Sequence, residues 1–295
     1  MNSKDFLLGI AVTFVWGINF SVIKLGLSSL DPFTLAGLRF SLCALPLVFI
    51  IPKPDVSMSY IVSYGLFFGV GLWGLTSLGI YWGISAGVAS LVLQTSVFLT
   101  ILMGYLFLHE TIDTIKMTGF IFALAGLVCI IQLTDGSVTF YGMVLVLVAA
   151  LCWSVANIIV KKSGTTRIFS FIIWSSLFSP IPLFFLAYAT QGSIVFINFF
   201  ENLDKTAIFS ILFQVYPTTL LGYWVWNSLL KKYPTTSVAP LSLLVPIFGL
   251  LGSHIIFNEV IGTGKILACL LIISGLLVSL FGQSLWLKFK HEVAS

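Results

Sequence analysis

Trp16-Gly17-Ile18-Asn19-Phe20-Ser21-Val22-Ile23-Lys24 sets an indole, a carboxamide, a hydroxyl and an ammonium inside a long apolar run. Polar groups in such a run are costly in lipid unless they face protein or a wet cavity. The stretch has an echo. Trp153-Ser154-Val155-Ala156-Asn157-Ile158-Ile159-Val160-Lys161 follows 137 residues later, with Trp on Trp and Lys on Lys. Asn19 falls on Ala156, and Asn157 stands one place away. The pair predicts the first helix of each half of a duplicated chain.

Composition says which solvent the fold meets. Of 295 residues, 59% are hydrophobic and 8% charged, and the mean hydropathy is +1.11. A soluble domain carries about 25% charged residues, so this chain is expected in a lipid bilayer with small loops. The net charge of +4 is not gathered into a basic cluster with interleaved aromatics, so no nucleic acid is implied. Cys43, Cys129, Cys152 and Cys269 all fall in apolar runs without metal-ligand or CxxC spacing, and read as packing residues. No cofactor or metal is expected. Met1–Asp5 is too short for a signal n-region, so the first apolar run is expected to be a retained helix.

A spanning helix needs about 20 mostly apolar residues. Ten segments qualify: 6–27, 32–51, 60–83, 87–108, 115–133, 139–160, 168–189, 206–229, 235–257 and 263–284. They are too long and too evenly apolar for barrel strands. Turn chemistry separates most of them, as in Ser28-Ser29-Leu30-Asp31-Pro32, Pro52-Lys53-Pro54-Asp55 and Thr134-Asp135-Gly136-Ser137. With both termini cytoplasmic, ten of the fourteen Lys and Arg fall on the inner side, as the positive-inside rule requires.

The duplication extends past the opening stretch. Leu45-Pro46-Leu47-Val48-Phe49-Ile50 matches Ile181-Pro182-Leu183-Phe184-Phe185-Leu186 at an offset of 136, and Glu110, Lys116 and Gly126 match Glu259, Lys265 and Gly275 at 149. The longer Gln191–Lys205 loop accounts for the change. The domains are thus 1–135 and 136–284, five helices each, followed by a cytoplasmic tail, 285–295. Five is odd, so the second half enters from the opposite side. Such inverted repeats place a substrate near the midplane between the halves.

Four stretches carry a family resemblance: Val15-Trp16-Gly17-Ile18-Asn19-Phe20-Ser21-Val22-Ile23-Lys24, Leu35-Ala36-Gly37-Leu38-Arg39-Phe40, Ala86-Gly87-Val88-Ala89-Ser90-Leu91-Val92-Leu93-Gln94 and Val238-Ala239-Pro240-Leu241-Ser242-Leu243-Leu244-Val245-Pro246. The chain resembles the EamA-type branch of the drug/metabolite transporter superfamily over Lys4–Gly282. The last two stretches resemble, more narrowly, the bacterial exporters of O-acetylserine and cysteine. The resemblance implies ten helices in two inverted halves, a bacterial inner-membrane location and export of small metabolites by secondary transport. Many branch members carry proline where Val97 stands, matching Pro246, so the two halves are expected to break their helices unequally.

Asn19 lies roughly 20 Å into the first helix, just past the middle of a ~30 Å hydrocarbon core. Its carboxamide suits an amino acid's carboxylate and amine, or else an interhelical hydrogen bond. Arg39 either captures a substrate carboxylate or clamps carbonyls, Asp31 or the nearby surface. Gln94 and Gln214 are deep carboxamides with the same two readings. Trp16 and Trp153, being repeat-related, are candidates for a symmetric cavity lining, with Asn157 beside them. Pro217, with Thr218 and Thr219 after it, and Pro240 and Pro246 interrupt helices eight and nine, the best sequence pointer to a binding site. Lys24 reads as an outer-surface anchor or a gating partner. Glu110 and Glu259 read as loop anchors that cap the helices following them, or else as proton carriers.

These features support an alternating-access exporter of small polar metabolites, most specifically amino acids of the cysteine pathway, with the proton as candidate coupling ion. A broader amino-acid, nucleobase or drug exporter fits the same scaffold. An enzyme does not: His109, His254 and His291 form no HExxH, the core holds no paired aspartates, and there is neither GxSxG nor a nucleotide-binding loop.

Overall fold

The computed structural model describes residues 1–108, 114–133, 135–233 and 238–294. Glu110 and His109 lie outside them. The described residues are helical throughout, without strands. The principal helices are α1 (Ser3–Gly26), α2 (Pro32–Ala44), α3 (Met58–Tyr81), α4 (Ala86–Phe107), α5 (Thr114–Ile131), α6 (Phe140–Ser163), α7 (Ile168–Gln191), α8 (Lys205–Leu229), α9 (Leu244–Phe257) and α10 (Thr263–Ala294). Among the described residues α1, α3, α4, α6, α7 and α8 are long and apolar enough to cross a bilayer, and shorter apolar stretches occupy α5, α9 and α10.

Local chemistry sets the starts. The Asn2 side chain accepts from Asp5 N at the head of α1, Asp31 from Phe33 N and Thr34 N at α2, and Asp204 from Ala207 N at α8. Each supplies an acceptor to amides that the first turn leaves open. Pro32 then stands where its missing N–H costs nothing.

One element is shorter than expected. The α-helix of the 32–51 segment stops at Ala44, and hydrogen-bonded turns carry the chain through Pro46 to Ile51. Residues 235–237 of the 235–257 segment lie outside the described residues; within the rest, a 3-10 turn, Ala239–Leu243, gives way to α9 at Leu244. In the other direction, α10 runs on through the stretch read as a tail. Two single-turn helices, Ile194–Ile197 and Phe199–Asn202, fill the long loop before α8.

Both halves interrupt their third and fourth helices at matching places. A wide π turn spans Leu66–Gly74 in α3 and Gln214–Leu221 in α8. α4 breaks at Gln94, where Gln94 N bonds to Leu91 O and Val97 N to Gln94 O, and α9 changes from 3-10 to α between Leu243 and Leu244. The expected inequality at Val97 and Pro246 is therefore corrected. Thr95 supplies what a proline would, donating its hydroxyl to Val92 O and competing with the helix backbone.

The halves exchange partners as they pack. α1 lies along α8 and α9, α6 along α3 and α4, α2 against α7, and α5 against α10. Where α3 meets α7 the approach is backbone to backbone. A Cβ on Gly65 would sit 2.2 Å from the Ser175 carbonyl oxygen, and one on Gly69 would strike Ser179. Ser179 Oγ donates to Gly65 O at 2.9 Å.

Each end of the bundle is clasped. At the distal pole, where α1 ends, Lys24 Nζ meets Glu259 Oε1 at 2.7 Å and Lys265 meets Asp135 at 3.0 Å. At the proximal pole, where α1 starts, Asp5 takes Lys232 Nζ and Tyr233 Oη, each at 2.6 Å. Ser137, just before α6, lines the same distal cavity as Lys24. α6 thus starts at the pole where α1 ends.

Polarity is inverted relative to a soluble protein. Ile181 and Ile255 are 79% and 73% exposed, whereas Arg39 and Gln214 are each 1% exposed and Asn19 is fully buried. An apolar exterior of this kind is stable only against hydrocarbon.

Candidate functional site

A cluster of buried polar groups gathers where α1 and α2 meet the π turn of α8. Arg39 sits two turns into α2 and reaches across to α8. Its Nε and Nη2 donate to Thr219 Oγ1 at 3.1 and 2.9 Å, and Nη1 approaches Gln214 Oε1 at 3.4 Å. The guanidinium rests over Trp73 of α3, 4.1 Å from the ring centroid. A chain of bonds continues outward: Gln214 Nε2 donates to Ser210 Oγ, and Ser210 Oγ to the Val22 carbonyl of α1.

The π turn exposes the acceptors this arrangement uses. Pro217 stands inside it and has no N–H to give. The Thr218 carbonyl receives the Trp16 indole N–H at 3.0 Å, and Thr218 Oγ1 donates to Asn19 Oδ1 at 3.1 Å. Thr219 Oγ1 donates to the Gln214 carbonyl at 2.7 Å. Trp16 is packed between Tyr223 and Trp226, at 5.3 and 5.1 Å between ring centroids. Among the described residues six buried side-chain polar atoms lack a partner within the protein; four are hydroxyls, of Ser21, Thr34, Ser175 and Ser253, and the two N–H donors are Asn19 Nδ2 and Trp73 Nε1.

Of the residues singled out by sequence, Trp16, Asn19, Arg39, Gln214 and Pro217 thus share one seam. Arg39 holds Thr219 and Gln214, while Asp31 caps α2 instead. Gln94 is buried at the α4 break, on a helix packed against α9. Pro246 is buried in the first turn of α9, and Pro240 lies in the 3-10 turn before it. Trp153 and Asn157 belong to α6. Asn157 is exposed and donates to Thr100 of α4 at 3.3 Å, so it does not mirror Asn19; Trp153 is partly buried against the main core. Thr219, Trp73 and Ser210 were missed or undervalued. The Thr218-Thr219 pair directly after Pro217 is the available signal; Trp73 is one of several aromatics that fit either a cavity lining or an interfacial belt, and Ser210 gives no signal beyond lying in an apolar run.

At the distal pole, Lys24 is an ion-pair partner and also lies 4.3 Å from the Phe257 ring centroid. Glu259 reaches back to α1 with its carboxylate, which corrects its reading as a cap of the following helix. Burial pushes the Glu259 carboxyl up, and the Lys24 ammonium overcomes this, leaving it below the usual carboxylate value. Lys24, Asp135, Glu259 and Lys265 line a cavity of about 250 Å³ with Ser85 and Ser137.

An apolar exterior, two similarly broken sets of helices and a buried polar seam between them define a multi-pass membrane protein of the transporter class. The EamA-like transporter family matches the chain twice, at residues 4–132 and 140–281. A probable amino-acid metabolite efflux pump of Escherichia coli is 37% identical, covering 96% of both chains. A protein of the same description from Salmonella typhimurium is 35% identical over the same shares. An uncharacterized transporter of Bacillus subtilis, YoaV, is 26% identical, covering 92% of this chain and 95% of its own. A crystal structure at 15% identity superposes with a TM-score of 0.62, covering 95% of this chain and 97% of its own, and shares the fold. The chain belongs to the EamA-like transporter family.

Proposed function

We propose that the chain exports small amino-acid metabolites, those of the cysteine pathway foremost, across a bacterial inner membrane by alternating access. The observation that carries this reading is the buried, hydrogen-bonded seam of Arg39, Gln214, Thr218, Thr219 and Asn19, set between helices of the two halves. Hydrogen-bonding groups at such a depth mark substrate paths. The two relatives described as probable amino-acid metabolite efflux pumps support the substrate class.

In this reading the ten helices form two inverted halves, 1–135 and 136–284, with both termini cytoplasmic. The opposite directions of α1 and α6, and their reciprocal packing, support the inversion. The proximal pole is then cytoplasmic and the distal pole periplasmic. Opening one pole breaks Asp5–Lys232, and opening the other breaks Lys24–Glu259, while the seam stays between them. The interrupted helices α3, α4, α8 and α9 are the places where such bending is cheapest.

Counterflow in proteoliposomes tests this. Cysteine and O-acetylserine should exchange and unrelated amino acids should do so poorly, with uptake changing under an imposed pH gradient if the proton is coupled. Exchange of nucleobases or cationic drugs in place of both sulfur-pathway compounds would overturn it.

A further inference from the structure

Arg39 is a buried cation with no counterion beside it among the described residues. The sequence stretches 6–30, 32–54, 56–109, 136–200 and 205–258 contain neither Asp nor Glu. The carboxylates of Asp5, Asp135 and Glu259 are paired with lysines at the poles, and Asp31 and Asp204 cap helices. The partners of Arg39 are a neutral hydroxyl, a neutral carboxamide and the face of Trp73. A buried charge without an opposite charge is expensive. At the rim of the same indole ring, Trp73 Nε1 is buried and has no acceptor. A buried donor left open in a folded protein calls for an explanation.

One kind of ligand answers both deficits, an acceptor that carries negative charge. A carboxylate is planar and matches the guanidinium fork with two parallel N–H···O bonds. Its remaining lone pairs can take the indole N–H. One guanidinium balances a monoanion, whereas a phosphate dianion would bury a second charge with nothing to meet it. For an ammonium the surroundings are the reverse: the seam supplies neutral oxygens that are already engaged, and the described residues offer no carboxylate beside it.

We infer that Arg39 and Trp73 form the carboxylate subsite of the transport path, so that cargo is selected by its carboxylate and not by its amine. This rests on the transport reading above and narrows it. Thr219 and Gln214 hold the guanidinium when the subsite is empty and yield part of it to cargo. Trp73 carries the specificity that a lone arginine lacks, because its N–H fixes one oxygen of the carboxylate.

The test uses the full-length chain, purified in detergent and in proteoliposomes, with cysteine, N-acetylcysteine, cysteine methyl ester and cysteamine as probes. The two free acids should protect against thermal unfolding and exchange in counterflow. The ester and the amine should bind at least about tenfold more weakly, the scale of a lost charge-assisted contact. Trp73→Phe should weaken both acids roughly tenfold and leave their ratio unchanged. Equal behaviour of acid and ester, or undiminished affinity in Trp73→Phe, would overturn the inference. If that variant does not fold, the four-probe comparison on the unaltered chain decides. If nothing exchanges in counterflow, the export reading fails, and protection against unfolding still decides whether a carboxylate binds.

Discussion

The seam where α2 meets α8 and the seam where α7 meets α3 are the same place in the two halves, built with different side chains. At the repeat offsets, Arg39 corresponds to Ser175, and Gln214 and Thr218 to Gly65 and Gly69. Each seam holds a π turn in the third helix of its half. In one, glycines let the backbones touch, and Ser179 Oγ closes on the Gly65 carbonyl. In the other, Gln214 and Thr218 stand where the first half has glycine, Thr219 stands where it has Val70, and the three present hydrogen-bonding groups to Arg39 and Asn19. The difference teaches that the backbone irregularity is common to both copies, whereas the hydrogen-bonded cluster around an arginine is built in one copy alone.

Substitution at corresponding positions separates the two uses. Gly65→Val should have the largest effect, costing more than about 3 kcal/mol, because the added atoms meet backbone that cannot swing aside. Little folded protein should elute on size exclusion. Gln214→Ala, at the matching position, should cost about 1 kcal/mol of stability while counterflow falls steeply. A folded Gly65→Val beside an unfolded Gln214→Ala would reverse the assignment.

Next in size is Arg39→Met. Removing a buried cation whose partners are all neutral should leave the melting temperature equal or higher, with transport lost. A collapse in melting temperature would mean that the guanidinium holds the seam together, and the α2–α8 seam would then be as structural as its glycine counterpart.

Trp16→Phe breaks one bond to the Thr218 carbonyl and should cost about 0.6–1 kcal/mol. Trp153→Phe should cost less, and denaturation of the two variants side by side measures the asymmetry. Equal losses would show that the two indoles keep a mirror relation that Asn157 and Asn19 do not share.

The smallest effect concerns the distal pole. Lys24 and Glu259 are 34% and 15% exposed, so their pair should contribute under about 1 kcal/mol. The Glu259 carboxyl is held below its ordinary value of 4.5. Its stabilisation is therefore full above about pH 4.5 and fades as pH falls through the lower folded value. Glu259→Gln should flatten the acid limb of a melting-temperature profile and leave neutral pH nearly unchanged. An acid limb as steep as that of the unaltered chain would place the titrating group elsewhere.

Much of this frame could be read from one sequence because lipid simplifies it. Long apolar runs with polar breaks mark helices directly, and the doubled Trp-to-Lys stretch marked the two halves. The pairing of Arg39 with Thr219 could not be read, since partners 180 positions apart leave no local trace. Asp31 looked closer along the chain and proved to be a cap. The π turn of α3 was hidden for a different reason: Leu66–Gly74 has no proline, and its glycines look like ordinary packing residues. At Gln94 the proline rule misled, because a threonine hydroxyl loosens a helix without announcing it as proline does.

The reciprocal packing of α1 and α6 has a consequence for how such a chain can be assembled. Each half lends its first helix to the other, as swapped protomers do, so neither half owns a complete core. Either one made alone would insert with a greasy groove where the lent helix belongs. Supplied as two polypeptides together, they should find each other and rebuild the seam, whereas either by itself should be degraded. The connection between residues 132 and 140 then serves chiefly to keep two mutually dependent pieces at high local concentration.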